Sequence, residues 1–153
     1  MEIALYQPDI APNAATILRL AACLGLPARI IEPAGFHWSA AGFRRAGMDY
    51  LAQAKVTRDA SFEAFRAATA GRRLVLITTR GTLPYTEFAF RDDDVLLLGR
   101  ESSGVPDTVH TLADARLLIP LLPGLRSLNV AVACAMVTGE ALRQLRAFPT
   151  SSA

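Results

Sequence analysis

Three segments of almost continuous apolar sequence constrain the fold more than any other feature of this chain. They lie at residues 74–79, 94–99 and 117–121. A strand with one face in water alternates polar and apolar side chains, and none of these segments alternates in that way. Both faces of each strand must therefore be covered by other parts of the protein, as in parallel sheets that carry helices on both sides. The segments predict an α/β fold with a mostly parallel sheet.

Shorter patterns predict the rest of the sheet and its helices. Further strands are predicted at 3–6 and 28–31, and helices at 13–24, 39–46, 61–70 and 127–145. Asn13 is placed to cap the first of these helices, and Gly25 is placed to end it. Because there is no internal repeat or linker, we expect a single domain at 1–148 followed by a frayed tail at 149–153.

The composition restricts the class of protein. The chain has 153 residues, of which 52% are hydrophobic and 20% are charged, which suits one compact core and excludes a disordered chain. The formal net charge is only +2. Binding to nucleic acid would therefore require that the 16 Lys and Arg residues be concentrated locally, or that a second subunit double the patch.

The two cysteines and the N-terminus indicate the compartment. Cys23 and Cys134 lie in apolar helical patterns without metal-type or redox-type partners nearby, so we expect buried free thiols and no metal site. The chain opens with an acidic residue and a predicted strand rather than a signal peptide, and no apolar run is long enough to span a bilayer. We expect a cytoplasmic protein without membrane contact.

Three loops that follow predicted strands carry the candidate chemistry, because ligands of parallel sheets bind beyond the carboxyl ends of the strands. The loops are 8–13, which leads into the helix that carries Arg19; 99–106, which contains Glu101; and 119–129, which ends with Ser127 and Asn129. Each has an ordinary structural interpretation as a helix cap, a solvated helix residue or a strand-to-helix turn. None of them matches a dinucleotide fingerprint or a Walker loop.

In this order and at these separations, the loops resemble the three motifs of the SPOUT superfamily of RNA methyltransferases. Pro12-Asn13 followed by Arg19 resembles the first motif, 98–106 resembles the second, and 119–120 through 126–129 resembles the third. The segments 31–36 and 44–50 are similar to the TrmH/TrmL-like family, whose members methylate the 2′-oxygen of the wobble cytidine or uridine of certain leucine tRNAs. The resemblance extends from Ile3 to Leu145.

The resemblance implies a fold and a cofactor that the residue patterns do not indicate. The chain from about Leu74 onward would form a trefoil knot, which is very rare among proteins in general. The knot would bind S-adenosylmethionine and release S-adenosylhomocysteine, and the protein would work as a homodimer without a metal. The implied cofactor-binding residues are Ile77, Thr78, Gly99, Ile119, Leu121 and Ser127.

The resemblance also implies the catalytic and RNA-binding residues. Arg19 corresponds to the catalytic arginine of the family; since a guanidinium with a pKa above about 12 is a poor base, we expect it to clamp a phosphate and stabilise charge on the ribose oxygen. Asn13 would orient Arg19 or the ribose, while Glu101, Ser127 and Asn129 would position the loop, the cofactor and the nucleotide. Candidate contacts to tRNA are Arg44, Arg45, Arg80, Arg100 and Arg126, with Phe36, His37, Trp38 or Tyr50 stacking on the base.

Three other hypotheses about the function remain open. The chain could be a non-catalytic RNA-binding module of the same fold, a methyltransferase for another tRNA nucleotide or for ribosomal RNA, or a flavodoxin-like carrier. The joint presence of Asn13, Arg19, Glu101, Ser127 and Asn129 argues against a module without activity. The absence of a phosphate-binding fingerprint argues against a carrier.

Overall fold

The structure is a computed structural model that describes residues 1–37 and 54–150. The strands are β1 (Glu2–Tyr6), β2 (Ala28–Ile31), β3 (Val56–Asp59), β4 (Leu74–Ile77), β5 (Leu83–Pro84), β6 (Val95–Leu98) and β7 (Ala115–Leu118). The α-helices are α1 (Ala11–Cys23), α2 (Phe62–Ala68), α3 (Asp107–Leu112) and α4 (Val130–Leu145), and a short 3-10 helix lies at Tyr85–Glu87. None of the helices in these ranges is both long and apolar enough to cross a membrane.

The strands form one seven-stranded sheet in the order β3-β2-β1-β6-β4-β7-β5. Every neighbouring pair is parallel, and β6 lies between β1 and β4. All residues of β1 and β6 are buried, as expected for central strands whose two faces are both covered. The predicted α/β fold with a parallel sheet is confirmed.

Helices cover both faces of the sheet, and side chains alternate between them along each strand. Ile3 and Leu5 of β1 pack on one face with apolar residues of α1 and α4. Ala4 of the same strand packs on the opposite face with Phe65 of α2 and Val109 of α3. The continuous apolar runs thus supply two cores at once.

Several predicted element boundaries differ from those in the structure. Helix α1 begins at Ala11 with Ile10 at its N-cap, so Asn13 lies in the first turn and does not cap it; proline is favoured in a first helical turn, which Pro12 occupies. Strand β7 begins and ends earlier than predicted, since the chain leaves the sheet after Leu118. Helix α4 begins only after its N-cap residue Asn129.

Other differences arise from exposed segments. The edge strand β3 was not predicted, because three of the four residues in its sequence Val-Thr-Arg-Asp are polar and form no apolar pattern. Cys134 is buried as predicted, and burial raises the pKa of its thiol to about 12. Cys23 is exposed, which contradicts the predicted buried thiol; it is the last residue of α1, on the side of that helix away from the sheet. The predicted helix at 39–46 lies outside the described residues.

The connection from β4 to β5 crosses the carboxyl end of β7, because β7 lies between these two consecutive strands. The Thr78 amide donates a hydrogen bond of 2.9 Å to the Leu117 carbonyl oxygen. A Cβ atom on Gly81 would lie 2.7 Å from the Leu117 carbonyl carbon and 2.9 Å from its oxygen. The crossing therefore requires glycine at residue 81.

We predict that Gly81→Ala lowers the free energy of unfolding by about 1–3 kcal/mol, because the added methyl group forces the backbones of the crossing apart. Chemical denaturation measures the change. Thr82→Ala, in the same connection but with an exposed side chain, is the matched control and should leave stability nearly unchanged. Equal stability of both variants would contradict the close approach at Gly81.

Candidate active site

A cavity of about 570 Å³ opens at the carboxyl ends of β4 and β6. Its apolar wall comes from the ends of these strands and of β7 and from the first turn of α4, including Leu76, Leu98, Val130 and Ala133. This is the edge at which parallel sheets bind ligands, and the volume suits a small molecule.

A chain of hydrogen-bonded side chains forms the polar side of the cavity and joins the three loops. Asn13 Nδ2 donates to Glu101 Oε1 at 3.1 Å, and Asn129 Nδ2 donates to Asn13 Oδ1 at 3.0 Å. Asn129 Oδ1 in turn accepts from the backbone amides of Ala131 and Val132 at 2.8 and 3.4 Å. Asn13 uses both ends of its amide within the protein, so it holds Glu101 and Asn129 rather than Arg19.

Asp9 holds the other side of Glu101 through reciprocal bonds. The Asp9 amide donates to Glu101 Oε2 at 3.1 Å, and the Glu101 amide donates to Asp9 Oδ1 at 3.2 Å. The Ser102 hydroxyl also donates to Asp9. Hydrogen bonding with Glu101, and after it with Ser102, lowers the pKa of Asp9 to about 2, so this carboxylate is ionised at neutral pH. Asp9 was not predicted as a site residue, although a carboxylate in the loop that follows a buried strand is a usable signal.

Two glycines close the turn that presents Glu101. Arg100 and Gly104 exchange backbone hydrogen bonds of 3.0 and 2.8 Å, and Gly104 has a φ of +68°. A Cβ atom on Gly99 would lie 2.7 Å from the Gly104 carbonyl carbon. The glycines thus allow the two ends of the turn to approach each other closely.

The six predicted cofactor-binding residues all line this cavity: Ile77, Thr78, Gly99, Ile119, Leu121 and Ser127. The aliphatic side chains at the ends of β4 and β7 supply apolar surface that suits an adenine base, and Asn13 and Glu101 supply polar groups to the same cavity. These residues therefore fit an adenosine cofactor with a charged end. In residues 1–37 and 54–150, no group of three His, Cys, Asp or Glu side chains is arranged to hold a metal ion.

Only some of the predicted RNA-binding arginines in the described residues lie at the cavity. Arg100 and Arg126 line the cavity. Arg80 instead pairs with Asp107 at 2.8 Å, where both side chains are exposed. Arg44 and Arg45 lie outside the described residues, as do Trp38 and Tyr50. Of the remaining stacking candidates, Phe36 packs against the core and His37 is exposed.

Arg19 lies away from the cavity formed by its own chain. It is exposed on α1 and is not among the residues that line the cavity, whereas Asn13 on the same helix is. At about 100° per residue, the six positions between them turn Arg19 roughly 120° away from Asn13 around the helix axis. The structure thus brings Asn13, Glu101, Ser127 and Asn129 together without Arg19.

Comparison with known proteins assigns this arrangement to a family. The model of the SpoU rRNA Methylase family matches residues 1–139. The chain belongs to the SpoU methylase family. This confirms the family resemblance given by the three loops.

Several SpoU methylases and related proteins resemble the chain over nearly its whole length. A protein of Beijerinckia indica named tRNA (cytidine(34)-2′-O)-methyltransferase is 64% identical, over 95% of this chain and 92% of its own. The Escherichia coli K12 protein of the same name is 40% identical over 95% and 94%. A solved structure from work on the 2-OH methylation of C/U34 on tRNA has a TM-score of 0.90 at 40% identity and covers 95% of both chains.

A more distant SpoU methyltransferase shares the fold and has been solved with a cofactor. AviRb of Streptomyces viridochromogenes in complex with AdoMet has a TM-score of 0.82 at 27% identity, over 95% of this chain and 60% of its own. The present chain therefore shares its fold with a relative that binds AdoMet.

We predict that two substitutions of Asn129 separate its capping role from its link to Asn13. Asn129→Ala removes the N-cap acceptor of α4 and should cost about 1 kcal/mol of unfolding free energy. Asn129→Asp keeps that acceptor and adds a charge favoured at a helix N-terminus, so stability should be retained. Both variants lose the donor to Asn13 and should lose methyl transfer.

Chemical denaturation and a methyl-transfer assay on the two variants check this prediction. Wild-type methyl transfer by Asn129→Asp would show that the Asn13–Asn129 bond is not needed for activity.

Proposed function

We propose that this chain transfers a methyl group from S-adenosylmethionine to the ribose 2′-hydroxyl of the wobble cytidine or uridine, nucleotide 34, of leucine tRNA. The observation that carries the proposal is the 64% identity, over 95% of the chain, with a protein named tRNA (cytidine(34)-2′-O)-methyltransferase. The cavity with its polar chain through Asn13 and Glu101 supports it, because it combines apolar surface with fixed polar groups.

The ends of the parallel strands would hold the cofactor. Ile77, Ile119 and Leu121 would contact the adenine, the close backbone turn at Gly99 would admit the ribose, and Thr78 and Ser127 would complete the pocket. When bound, S-adenosylmethionine would supply a methyl carbon that the positive charge on its sulfur already activates.

The chain's own residues would align the nucleophile and stabilise its charge. The ribose 2′-oxygen would form a bond to the methyl carbon as the carbon–sulfur bond breaks, and the hydroxyl proton would pass to a phosphate or water. Glu101 and Asn129, fixed by Asn13, would position the nucleotide, and Arg19 would clamp a phosphate and stabilise the developing oxyanion. Arg100 and Arg126 at the cavity would contact the RNA backbone.

A second copy of the chain would place Arg19 at the cavity. Exposed residues on α1 recur on one side of the helix, namely Pro12, Thr16, Arg19 and Cys23. The neighbouring start of α4 exposes Leu128, Val132 and Met136. Because α1 packs beside α4, we infer that these exposed residues together form a partly apolar surface that suits a twofold interface. We therefore propose a homodimer in which the partner subunit's Arg19 completes each site.

Two further features belong to the proposal. A trefoil knot is supported by the connection 78–82, which crosses β7, and by Gln144 of α4, which bonds to the Phe88 carbonyl and the Phe90 amide at 3.0 and 3.2 Å. We also propose one domain over 1–148 and a cytoplasmic location, where tRNA is available; most of the predicted tail at 149–153 lies outside the described residues.

A methylation assay tests the proposed function. Purified protein, S-adenosylmethionine and a leucine tRNA anticodon stem-loop are incubated, and mass spectrometry locates the added methyl group. We expect 2′-O-methylation of nucleotide 34 and none on a matched stem-loop that carries a 2′-deoxynucleotide there. Methylation of ribosomal RNA fragments instead would refute the substrate, and S-adenosylhomocysteine binding without methylation of any RNA would indicate a non-catalytic module.

Complementation between two inactive variants tests the position of Arg19. Arg19→Ala should abolish methylation with nearly unchanged affinity for S-adenosylhomocysteine, and Glu101→Ala should lower methylation at least about 100-fold, to a residual rate that can still be measured. Coexpression with random pairing should make about half of the dimers heterodimers, and each heterodimer has both intact residues at one of its two sites. Methylation should therefore recover to about a quarter of wild-type activity. A mixture as inactive as its components would show that Arg19 does not act across a dimer.

A further inference from the structure

We propose that Asp9 is a positioning residue for methyl transfer: it holds Glu101 and the turn at 100–104 in their active geometry. This inference rests on the proposed function. Asp9 does not line the cavity, so it would act through Glu101 rather than on the substrate.

The bonds between Asp9 and the turn fix both the backbone and the side chain of Glu101. The Glu101 amide and the Ser102 hydroxyl donate to the two carboxylate oxygens of Asp9. The Asp9 amide donates in return to Glu101 Oε2, while Asn13 donates to Glu101 Oε1. Each oxygen of the Glu101 carboxylate is therefore held by a different residue of the first loop, and loss of either contact frees the group to rotate.

Gly35 and Arg100 also restrict the position of Asp9. A Cβ atom on Gly35 would lie 2.8 Å from Asp9 Cβ and 2.9 Å from Asp9 Cα, and the Gly35 amide donates to the Pro8 carbonyl at 2.9 Å. Arg100 Nε lies 3.8 Å from Asp9 Oδ2 and balances its charge. Asp9 is thus clamped between Gly35 and the Glu101 turn, with little room to move.

Two substitutions should displace the Glu101 side chain while Glu101 itself stays in the sequence. Asp9→Ala removes the carboxylate, and Gly35→Ala leaves Asp9 in the sequence but displaces it by a clash. Both should lower kcat for tRNA methylation by about 10–100-fold, the scale expected when a reacting group is misplaced by about an ångström. The KM for S-adenosylmethionine should stay within about threefold, since no cofactor-lining residue changes.

A double-mutant cycle tests whether Asp9 acts through Glu101. Once Glu101→Ala is in place, adding Asp9→Ala should cause no further loss of kcat, because the two residues act as a unit. Ser103→Ala, an exposed residue of the same turn, is the control and should retain wild-type kinetics. Hydrogen exchange of the Glu101 and Ser102 amides should accelerate in Asp9→Ala and Gly35→Ala but not in Ser103→Ala.

The outcomes separate this inference from the proposed function. If the wild-type protein does not methylate tRNA, the proposed function fails, and the amide exchange rates still test the hold on the turn. If the wild-type protein is active, an unchanged kcat in Asp9→Ala would overturn the role of Asp9. A double variant whose loss of kcat equals the product of the losses in Asp9→Ala and Glu101→Ala would also overturn it. Unchanged amide exchange in Asp9→Ala would do the same.

Discussion

The side-chain amide of Asn13 makes the two hydrogen bonds on which the rest of the site depends. Its donor end binds Glu101, 88 residues away in sequence, and its acceptor end binds Asn129, 116 residues away. A carboxylate offers only acceptors and an ammonium only donors, so an amide is the group that can satisfy both partners at once. Through this one side chain, the loop after β1, the turn after β6 and the start of α4 become a single polar wall.

The parallel sheet makes such a meeting possible. Strands β1 and β6 are neighbours that run in the same direction, so their carboxyl ends bring Asn13 and Glu101 to one edge. Ion pairs at the opposite edge, such as Arg73 with the fully buried Asp94 at 2.7 Å, stabilise the starts of β4 and β6. The polar groups at the carboxyl edge, by contrast, line the cavity.

The sequence predicts those features of the site that follow from strand ends and misses those that depend on side-chain partners. The apolar runs predict the central strands, whereas the placement of Ile77, Gly99 and Ile119 at the cavity came from the resemblance to the three SPOUT motifs. Helix-capping preference placed Asn13 at an N-cap, but its partners come from distant loops, which no local pattern reveals. The pairing of Arg80 with Asp107 and the clamp on Asp9 by Gly35 likewise depend on contacts between segments.

A crystal structure of the protein with S-adenosylhomocysteine would test whether the polar wall held by Asn13 belongs to the cofactor site. This assignment of the site predicts density for the product in the 570 Å³ cavity, with its adenine against Ile77 and Leu121 and with both Asn13 hydrogen bonds intact. The product bound elsewhere, or an Asn13 amide turned away from Glu101 in the bound state, would contradict it.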